Sequence, residues 1–325
     1  MLARKIAIAA VLVLIFSVCA PAVPEAAANT NFPTRPIEII VPVRPGGDTD
    51  RNTRVLAEIM SRYLPVSVVV TNIDGASTIL AKHHVLDAPA DGYKLIINGT
   101  DAFVPYMLGV TDVSLRSFAT VAIAIDDNTT VLAVHKDSGW NSLEELVLAT
   151  RERPNAIEYG GRLGSANHIC GIAMNELWDA HMRFVDVGNN AAKMAALLAR
   201  QTDVINISYS LALDYFQSGE FIALCLLGSI PHPTLGVPLA SELGFKDADF
   251  SKFFWVGAHP DTPRERMQIL ADAIRQAVAN PDFIANMESH YLTPLFIPLE
   301  EGHQYALDFY ESHMHPWTDL FRAAQ

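Results

Sequence analysis

Apolar runs with strand-like and helix-like spacing alternate along most of the chain. Eight runs have the length and character of strands: 37–41, 66–70, 94–97, 120–125, 130–134, 184–187, 203–207 and 222–227. Stretches with the spacing of amphipathic helices lie between most of them. This alternation predicts an α/β fold with largely parallel sheets. The length of 325 residues exceeds what one hydrophobic core usually takes, so we expect two domains.

The N-terminal residues have the pattern of a secretory signal peptide. Two basic residues precede an apolar run from 6 to 18, and three alanines at 26–28 offer small side chains for cleavage. The apolar run is shorter than the roughly twenty residues of a membrane-spanning helix. We therefore expect removal of residues 1–28 and a periplasmic chain that starts near Asn29. Lipid attachment at Cys19 is a minor alternative, since the residue directly before that cysteine, Val18, is not small.

The charge of the chain excludes one large class of partners. The net charge is −13 and no basic stripe is visible, so a nucleic-acid partner is not expected. Two cysteines, Cys170 and Cys225, remain after cleavage. They can pair in an oxidising compartment, but their apolar surroundings favour buried, free thiols.

Two glycine-containing loops each join a strand-like run to an amphipathic helix. The first glycine loop is VPVRPGGDTDRNTR at 41–54, and the second is YGGRLGSANH at 159–168. Each places glycine-permitted backbone and unpaired N–H groups at a helix N-terminus, which suits an anion. Two helix ends facing one cleft would hold a carboxylate from both sides. Taken alone, either loop is more simply an ordinary strand-to-helix turn, because fold elements do not fix function.

Several short motifs follow one another in a fixed order. They are FPTRPIEIIVPVRPGGDTD, TNIDGA, APADGYKLIING, YGGRLGSANH, an alanine-rich helix ending in RQTDV, and WVGAHPDTP. In this order the chain resembles the receptors of tripartite tricarboxylate transporters, the Bug-type extracytoplasmic solute-binding proteins, from about Phe32 to Trp317. The resemblance implies a type II-like periplasmic binding protein fold, with a ligand cleft between two α/β domains. The implied domains are 29–130 plus 254–325 and 131–253.

The resemblance also implies that both glycine loops hold a ligand carboxylate, largely through backbone N–H groups and ordered water. The residues expected at the ligand are Val43, Arg44, Pro45, Gly46, Gly47, Asp50, Thr100, Leu163, Gly164, Ser165, Asn167 and His168. Thr100 is included because it follows the strand 94–97, and strand carboxyl ends face the ligand in such folds. No cofactor and no metal ion is expected, and the chain is expected to be monomeric.

Departures from the family pattern concern the far end of the pocket. Where relatives usually carry a small or apolar residue before the glycines, this chain has Arg44. It has Ile73-Asp74 in place of the usual arginine–proline pair, and Asp186-Val187 in place of the usual tyrosine–lysine pair. Arg44 and Arg162 either bind a second anionic group of the ligand or lie on the loop rim beside acidic residues. We leave this open for Arg44 and favour the rim for Arg162. A desolvated Arg44 would favour dicarboxylates or substituted aromatic acids over simple monocarboxylates.

Enzyme-like arrangements are weak in this sequence. His168 and Cys170 are two apart on a predicted helix and point away from one another, and no G-x-S-x-G motif is present. The histidines at 83–84 and 313–315 splay apart and do not suggest a metal site. We therefore expect a periplasmic receptor that captures a small carboxylate and delivers it to membrane permease subunits. A sensor that signals to a membrane kinase is an alternative with the same binding chemistry, and a periplasmic hydrolase is the least favoured.

The signal peptide gives the first testable prediction. N-terminal sequencing of the protein purified from the periplasm should give a chain that begins at or near Asn29. An intact Met1, or a lipid-modified Cys19, would contradict the prediction of a soluble periplasmic chain.

Overall fold

The computed structural model describes residues 31–99, 103–246 and 249–318. The strands in these ranges are β1 (Ile37–Val41), β2 (Val68–Asn72), β3 (Lys94–Asn98), β4 (Ala119–Asp127), β5 (Thr130–His135), β6 (Glu158–Gly161), β7 (Arg183–Asp186), β8 (Val204–Ser208), β9 (Phe221–Leu226), β10 (Lys252–Ala258) and β11 (Thr293–Pro298). The α-helices are α1 (Asp48–Met60), α2 (Ile79–Leu86), α3 (Val104–Met107), α4 (Leu143–Glu152), α5 (Ala166–Trp178), α6 (Asn190–Leu198), α7 (Leu213–Gln217), α8 (Arg264–Val278), α9 (Pro281–Ser289) and α10 (Leu299–Phe309). None of them is long and apolar enough to cross a lipid bilayer.

Some predictions concern residues that the structure does not describe. The signal peptide at 1–28, the cleavage point at Asn29, Cys19 and the candidate ligand residue Thr100 all lie outside the described residues.

The strands form two sheets from separate parts of the chain. The first sheet has the order β11-β4-β10-β3-β1-β2, and the second has the order β7-β6-β8-β5-β9. The chain leaves the first sheet at residues 128–129, between β4 and β5, and returns over residues 227–251, between β9 and β10. Strands β4 and β10 are antiparallel neighbours, with Lys252 opposite Asp127. The two crossings therefore meet the first sheet side by side.

The α/β class is confirmed, and all eight predicted strands are present within two residues of their expected ends. The expectation of largely parallel sheets is wrong. Strand β1 pairs in parallel with β2 and β3, and β6 with β7 and β8, but β4, β5 and β10 make only antiparallel pairs. A parallel pair requires a crossover back to the same sheet. Strands β4, β5 and β10 instead carry the chain from one sheet to the other.

Two strands at the C-terminal side are not predicted by the sequence pattern. Strand β10 is a nearly continuous apolar run, whose periodicity does not distinguish a buried strand from a buried helix. Strand β11 contains two prolines and pairs only with β4, at the edge of the sheet. Proline is tolerated in edge strands because a ladder hydrogen bond is not required on the open side.

Side chains cap the starts of two helices, α4 and α9. Ser142 precedes α4, and its Oγ accepts a hydrogen bond from the Glu145 N–H at 3.2 Å. Asn280-Pro281 follows the end of α8 and also begins α9, since the Asn280 Oδ1 accepts the Asp282 N–H at 2.8 Å. This second role follows from the preference of proline for the first helical position.

Both cysteines in the described residues are buried and free. Burial raises the pKa of the Cys170 thiol to about 12 and also raises that of Cys225. The thiols are therefore protonated at neutral pH, which argues against a nucleophilic role.

Strand β10 is buried on both faces. Phe253 and Trp255 belong to one hydrophobic cluster, whereas Phe254 and Val256 belong to another, because successive side chains point to opposite faces. Gly257 lies on the same face as Trp255, and the indole ring occupies the space beside it. A Cβ atom at Gly257 would lie 1.8 Å from the Trp255 Cζ3. The glycine is therefore required for this packing.

Gly257→Ala should destabilise the fold by about 1–3 kcal/mol, because the added methyl forces the Trp255 ring out of its packed position. Urea denaturation followed by circular dichroism measures the change. Gly228→Ala is the matched control, since a Cβ there would meet no atom within 4 Å. Equal free energies of unfolding for the two variants would contradict this account of β10.

Candidate functional site

The first glycine loop ends at the N-terminus of α1, where Gly47 is the residue before the first helical residue. Gly46 has a φ of +92°, in the left-handed region that favours glycine. Gly47 has an extended backbone that any residue adopts, with φ −85° and ψ 175°. The two adjacent glycines therefore have different roles, and Gly46 alone is required by the backbone conformation.

The side chain of Asp50 holds the first glycine loop in place through hydrogen bonds. Its carboxylate accepts the Gly46 N–H at 3.0 Å, the Asn72 Nδ2 at 2.9 Å and the Arg54 guanidinium at 2.8 Å. Asn72 also donates to the Val43 carbonyl at 3.0 Å. Burial opposes ionisation of Asp50, but these donors outweigh burial and hold its pKa below the usual value. Asp50 therefore shapes the loop.

The second glycine loop ends at the N-terminus of α5. Gly164 has a φ of +69°. Ser165 occupies the capping position, but its Oγ donates to the Arg162 carbonyl at 2.7 Å and makes no capping hydrogen bond. Ser165 thus takes the capping position, whereas its side chain closes the preceding turn. The first turn of α5 therefore receives no hydrogen bond from the Ser165 side chain.

A third helix end was missed by the sequence reasoning. Asn189 precedes α6, and its Oδ1 accepts the Ala192 N–H at 3.0 Å. Gly188 before it has a φ of +91°. The sequence signal was present, since glycine followed by asparagine before an alanine-rich helix is a typical helix start.

These three helix ends line one cavity of about 360 Å³, which we call the outer cavity. Its lining residues are Val43, Arg44, Pro45, Gly46, Gly47, Asp48, Thr49, Asp74, Arg162, Ser165, Asn167, Gly188, Asn189, Asn190, Ala191 and Ala192. Seven expected ligand residues are among them: Val43, Arg44, Pro45, Gly46, Gly47, Ser165 and Asn167. The structure therefore brings the two glycine loops together at one cavity.

Four of the expected residues do not line the outer cavity. Asp50 lies beneath the first loop, and Leu163 is 60% exposed. Gly164 shapes the turn before α5. The ring of His168 packs against Phe184, with ring centroids 4.2 Å apart. Burial lowers the pKa of His168, which favours a neutral imidazole.

The two arginines of the cavity differ in their surroundings. Arg44 is 74% exposed at its side chain and pairs with Asp74, with 2.8 Å between Nε and Oδ2. The premise that Arg44 is desolvated therefore does not hold in this structure. Arg162 is half-buried, and no ion pair to it is found among the described residues.

A buried ion-pair network lies behind the outer cavity. The Lys252 Nζ is 2.7 Å from Asp48 Oδ2 and 3.2 Å from Asp127 Oδ2. Asp127 also accepts hydrogen bonds from the hydroxyls of Thr129 and Ser208, each at 2.5 Å. Burial alone would lower the pKa of Lys252, but Asp127 and Asp48 raise it above its usual value. Burial likewise opposes ionisation of Asp48, but Lys252 holds the pKa of this carboxyl below its usual value.

Comparison with known proteins decides the family. The family described as "Tripartite tricarboxylate transporter family receptor" matches residues 52–311 of the 325 residues. The chain belongs to this receptor family. The resemblance that the motifs indicated is thus confirmed, although most of the first glycine loop lies just before the matched range.

The relatives of this receptor include the protein BugT of Bordetella pertussis, which is 25% identical over 313 residues and covers 94% of each chain. Among solved structures, the periplasmic binding protein BugD has a TM-score of 0.79 at 23% identity, covering 90% of this chain and 98% of its own. MatC from Rhodopseudomonas palustris, solved with bound malate, has a TM-score of 0.78 at 20% identity, covering 89% of this chain and 100% of its own. The receptor therefore has the α/β fold of the periplasmic binding proteins.

Lys252→Met should lower the free energy of unfolding by about 3–5 kcal/mol at pH 7, because it leaves Asp48 and Asp127 without their counter-charge. The depressed pKa of Asp48 stabilises the wild type above the unfolded pKa, and this stability is lost as the pH falls through the folded value. The difference in the free energy of unfolding between the wild type and Lys252→Met should therefore become smaller below about pH 4.

Urea denaturation at pH 7, 5 and 3 measures this difference. Lys246→Met, which removes an exposed lysine, is the control and should be nearly neutral at each pH. A loss of stability for Lys252→Met that does not depend on pH would show that the ion pairs are not its cause.

Proposed function

We propose that this chain is a periplasmic solute-binding receptor that captures a small organic carboxylate in the outer cavity. The observation that carries the proposal is the meeting of three helix N-termini at one cavity of about 360 Å³. N–H groups at helix N-termini lack helical acceptors, and the helix dipole there favours negative charge. A carboxylate between these ends would accept hydrogen bonds from more than one loop at once.

Arg162 supplies a positive charge for this carboxylate. It lines the outer cavity and is half-buried, and none of the described residues forms an ion pair with it. Arg44 lines the same cavity but is already paired with Asp74 at the exposed rim. A guanidinium binds a carboxylate through two parallel hydrogen bonds. We therefore assign the direct ionic contact to Arg162 rather than to Arg44.

The family supports the chemical class of the ligand. Its members are receptors of tricarboxylate transporters, and MatC, which shares the fold, was solved with malate. Both are carboxylate systems. The cavity size also lies within the usual range for sites of small molecules.

The proposed cycle uses both sheets of the fold. We infer that residues 1–28 direct export, and that 29–130 plus 254–325 and 131–253 are two domains that close around the ligand. The closed form is then recognised by the permease subunits of a tripartite tricarboxylate-type transporter. Closure of two domains around a bound ligand is a common motion in periplasmic binding proteins.

Gly47→Val tests the assignment of the cavity. The backbone at Gly47 suits any residue, and a Cβ there would meet no protein atom within 4 Å while the residue lines the outer cavity. A valine should therefore fill ligand space without straining the loop. We expect at least a tenfold loss of affinity, or about 1.4 kcal/mol, for the retained carboxylate. Gly164→Val should also lower affinity, but its left-handed backbone adds strain.

Native mass spectrometry of protein purified without refolding identifies the retained ligand, and calorimetry then measures its affinity. Gly228→Val is the control, because its Cβ also meets no atom within 4 Å and the residue does not line the cavity. Circular dichroism checks the fold of each variant. A retained ligand without a carboxylate, or unchanged affinity of folded Gly47→Val, would refute the proposed function.

A further inference from the structure

The side chain of Arg51 connects helix α1 with the second sheet. Arg51 lies one turn after the start of α1, since its N–H donates to the Gly47 carbonyl at 3.0 Å. Its Nη1 donates to the Ser210 carbonyl at 3.3 Å, in the turn that follows β8. Helix α1 begins at the outer cavity, whereas β8 belongs to the second sheet. One hydrogen bond therefore joins the two parts of the chain one helical turn behind the outer cavity.

The turn that contains Ser210 is held at the first crossing between the sheets. The Ser208 hydroxyl donates to Asp127 Oδ2 at 2.5 Å, and the Tyr209 N–H donates to the Thr129 carbonyl at 2.8 Å. Ser210 itself is 2% exposed. These contacts fix the Ser210 carbonyl to the second sheet. The length of its hydrogen bond from α1 therefore depends on the arrangement of the two sheets and not on flexibility of the turn.

The guanidinium group of Arg51 is largely removed from water where α1 meets the second sheet. Its Nη2 is buried and has no hydrogen-bond partner among the described residues, and its Nε donates to Asn52 Oδ1 at 3.2 Å. Burial lowers the pKa of Arg51, although the carboxylates of Asp48 and Asp127 oppose this effect. Arginine stays charged in proteins. Water would hydrate this cation if the sheets moved apart, whereas in the described arrangement the Ser210 carbonyl and the two carboxylates replace part of that water.

We propose that Arg51 is a positioning residue for closure of the cleft, and that its hydrogen bond to the Ser210 carbonyl stabilises the closed form and slows release of the bound carboxylate. The proposal rests on the proposed function, since it requires two domains that close around a ligand. Arg51 is not among the described residues that line the outer cavity, so it acts on the arrangement of the sheets and not on the ligand itself. A contact that forms only in the closed form raises ligand affinity by favouring that form.

Arg51→Met and Arg51→Lys test the proposal together, with malate as the probe. Arg51→Met removes both the charge and the hydrogen bond. Arg51→Lys keeps a positive charge near Asp48 and Asp127 but loses the branched guanidinium that reaches Ser210. In stopped-flow fluorescence, both variants should release malate about tenfold faster than the wild type, with little change in the association rate. Only Arg51→Met should lower the melting temperature of the ligand-free protein.

Small-angle X-ray scattering of the ligand-free protein measures closure independently of any ligand. Both Arg51 variants should have a larger radius of gyration than the wild type, because the open form becomes more populated. Arg62→Met is the matched control, since Arg62 directly follows α1 and forms ion pairs with Glu58 in α1 and Asp282 in α9. It removes the same charge without a contact to the second sheet, so its radius of gyration and its malate release should match those of the wild type.

The outcomes separate this proposal from the proposed function. Faster malate release or a larger radius of gyration in both Arg51 variants supports the role of Arg51. If neither quantity changes, or if Arg51→Lys matches the wild type in both, the hydrogen bond to Ser210 does not stabilise closure, and the outer cavity remains a carboxylate site. If the wild type does not bind malate, the scattering comparison alone decides. A change in scattering without any retained carboxylate in native mass spectrometry would support the role of Arg51 and refute the proposed function.

Discussion

The ion pairs of Lys252 with Asp48 and Asp127 are the contacts on which the site geometry depends. Lys252 is the first residue of β10, where the chain returns to the first sheet, and Asp127 is the last residue of β4, where the chain leaves that sheet. Asp48 is the first residue of α1. Asp127 also accepts a hydrogen bond from Ser208 in β8 of the second sheet. One ammonium group thus connects the helix end of the first glycine loop with both crossings. Because buried charges require compensation, moving one partner would leave the others uncompensated.

The same contacts bear on how an acidic protein could hold the proposed anion site. With a net charge of −13, the protein repels anions at long range, so binding depends on local donors. Asp48 and Asp50 lie in the first turn of α1, where negative charge stabilises the helix dipole. Neither presents a free carboxylate to the outer cavity, because Asp48 pairs with Lys252 and Asp50 with Arg54. The helix gains its stabilising charges while its N-terminus stays suited to an anion.

Local sequence signals predicted eight of the strands and the two glycine loops with the helices that follow them, because each of these depends on neighbouring residues. The antiparallel pairs could not be predicted, since they arise where the chain changes sheets. The Arg44–Asp74 ion pair could not be predicted either, because its two residues are 30 positions apart in the sequence. Asp50 was expected at the ligand because its position by the loop is visible in the sequence, but its hydrogen bonds to the loop are not.

The composition of the outer cavity bears on how selective the proposed site is. The cavity has a volume of about 360 Å³ and is lined mainly by helix ends and small residues. In a site of this kind, most contacts to a carboxylate come from backbone N–H groups, and bridging water can fill the remaining space. Backbone groups and water adapt to ligands of different shape, whereas buried side-chain donors reject a ligand that fails to pair with them. The proposed site would therefore recognise the carboxylate group itself more strictly than the rest of the ligand.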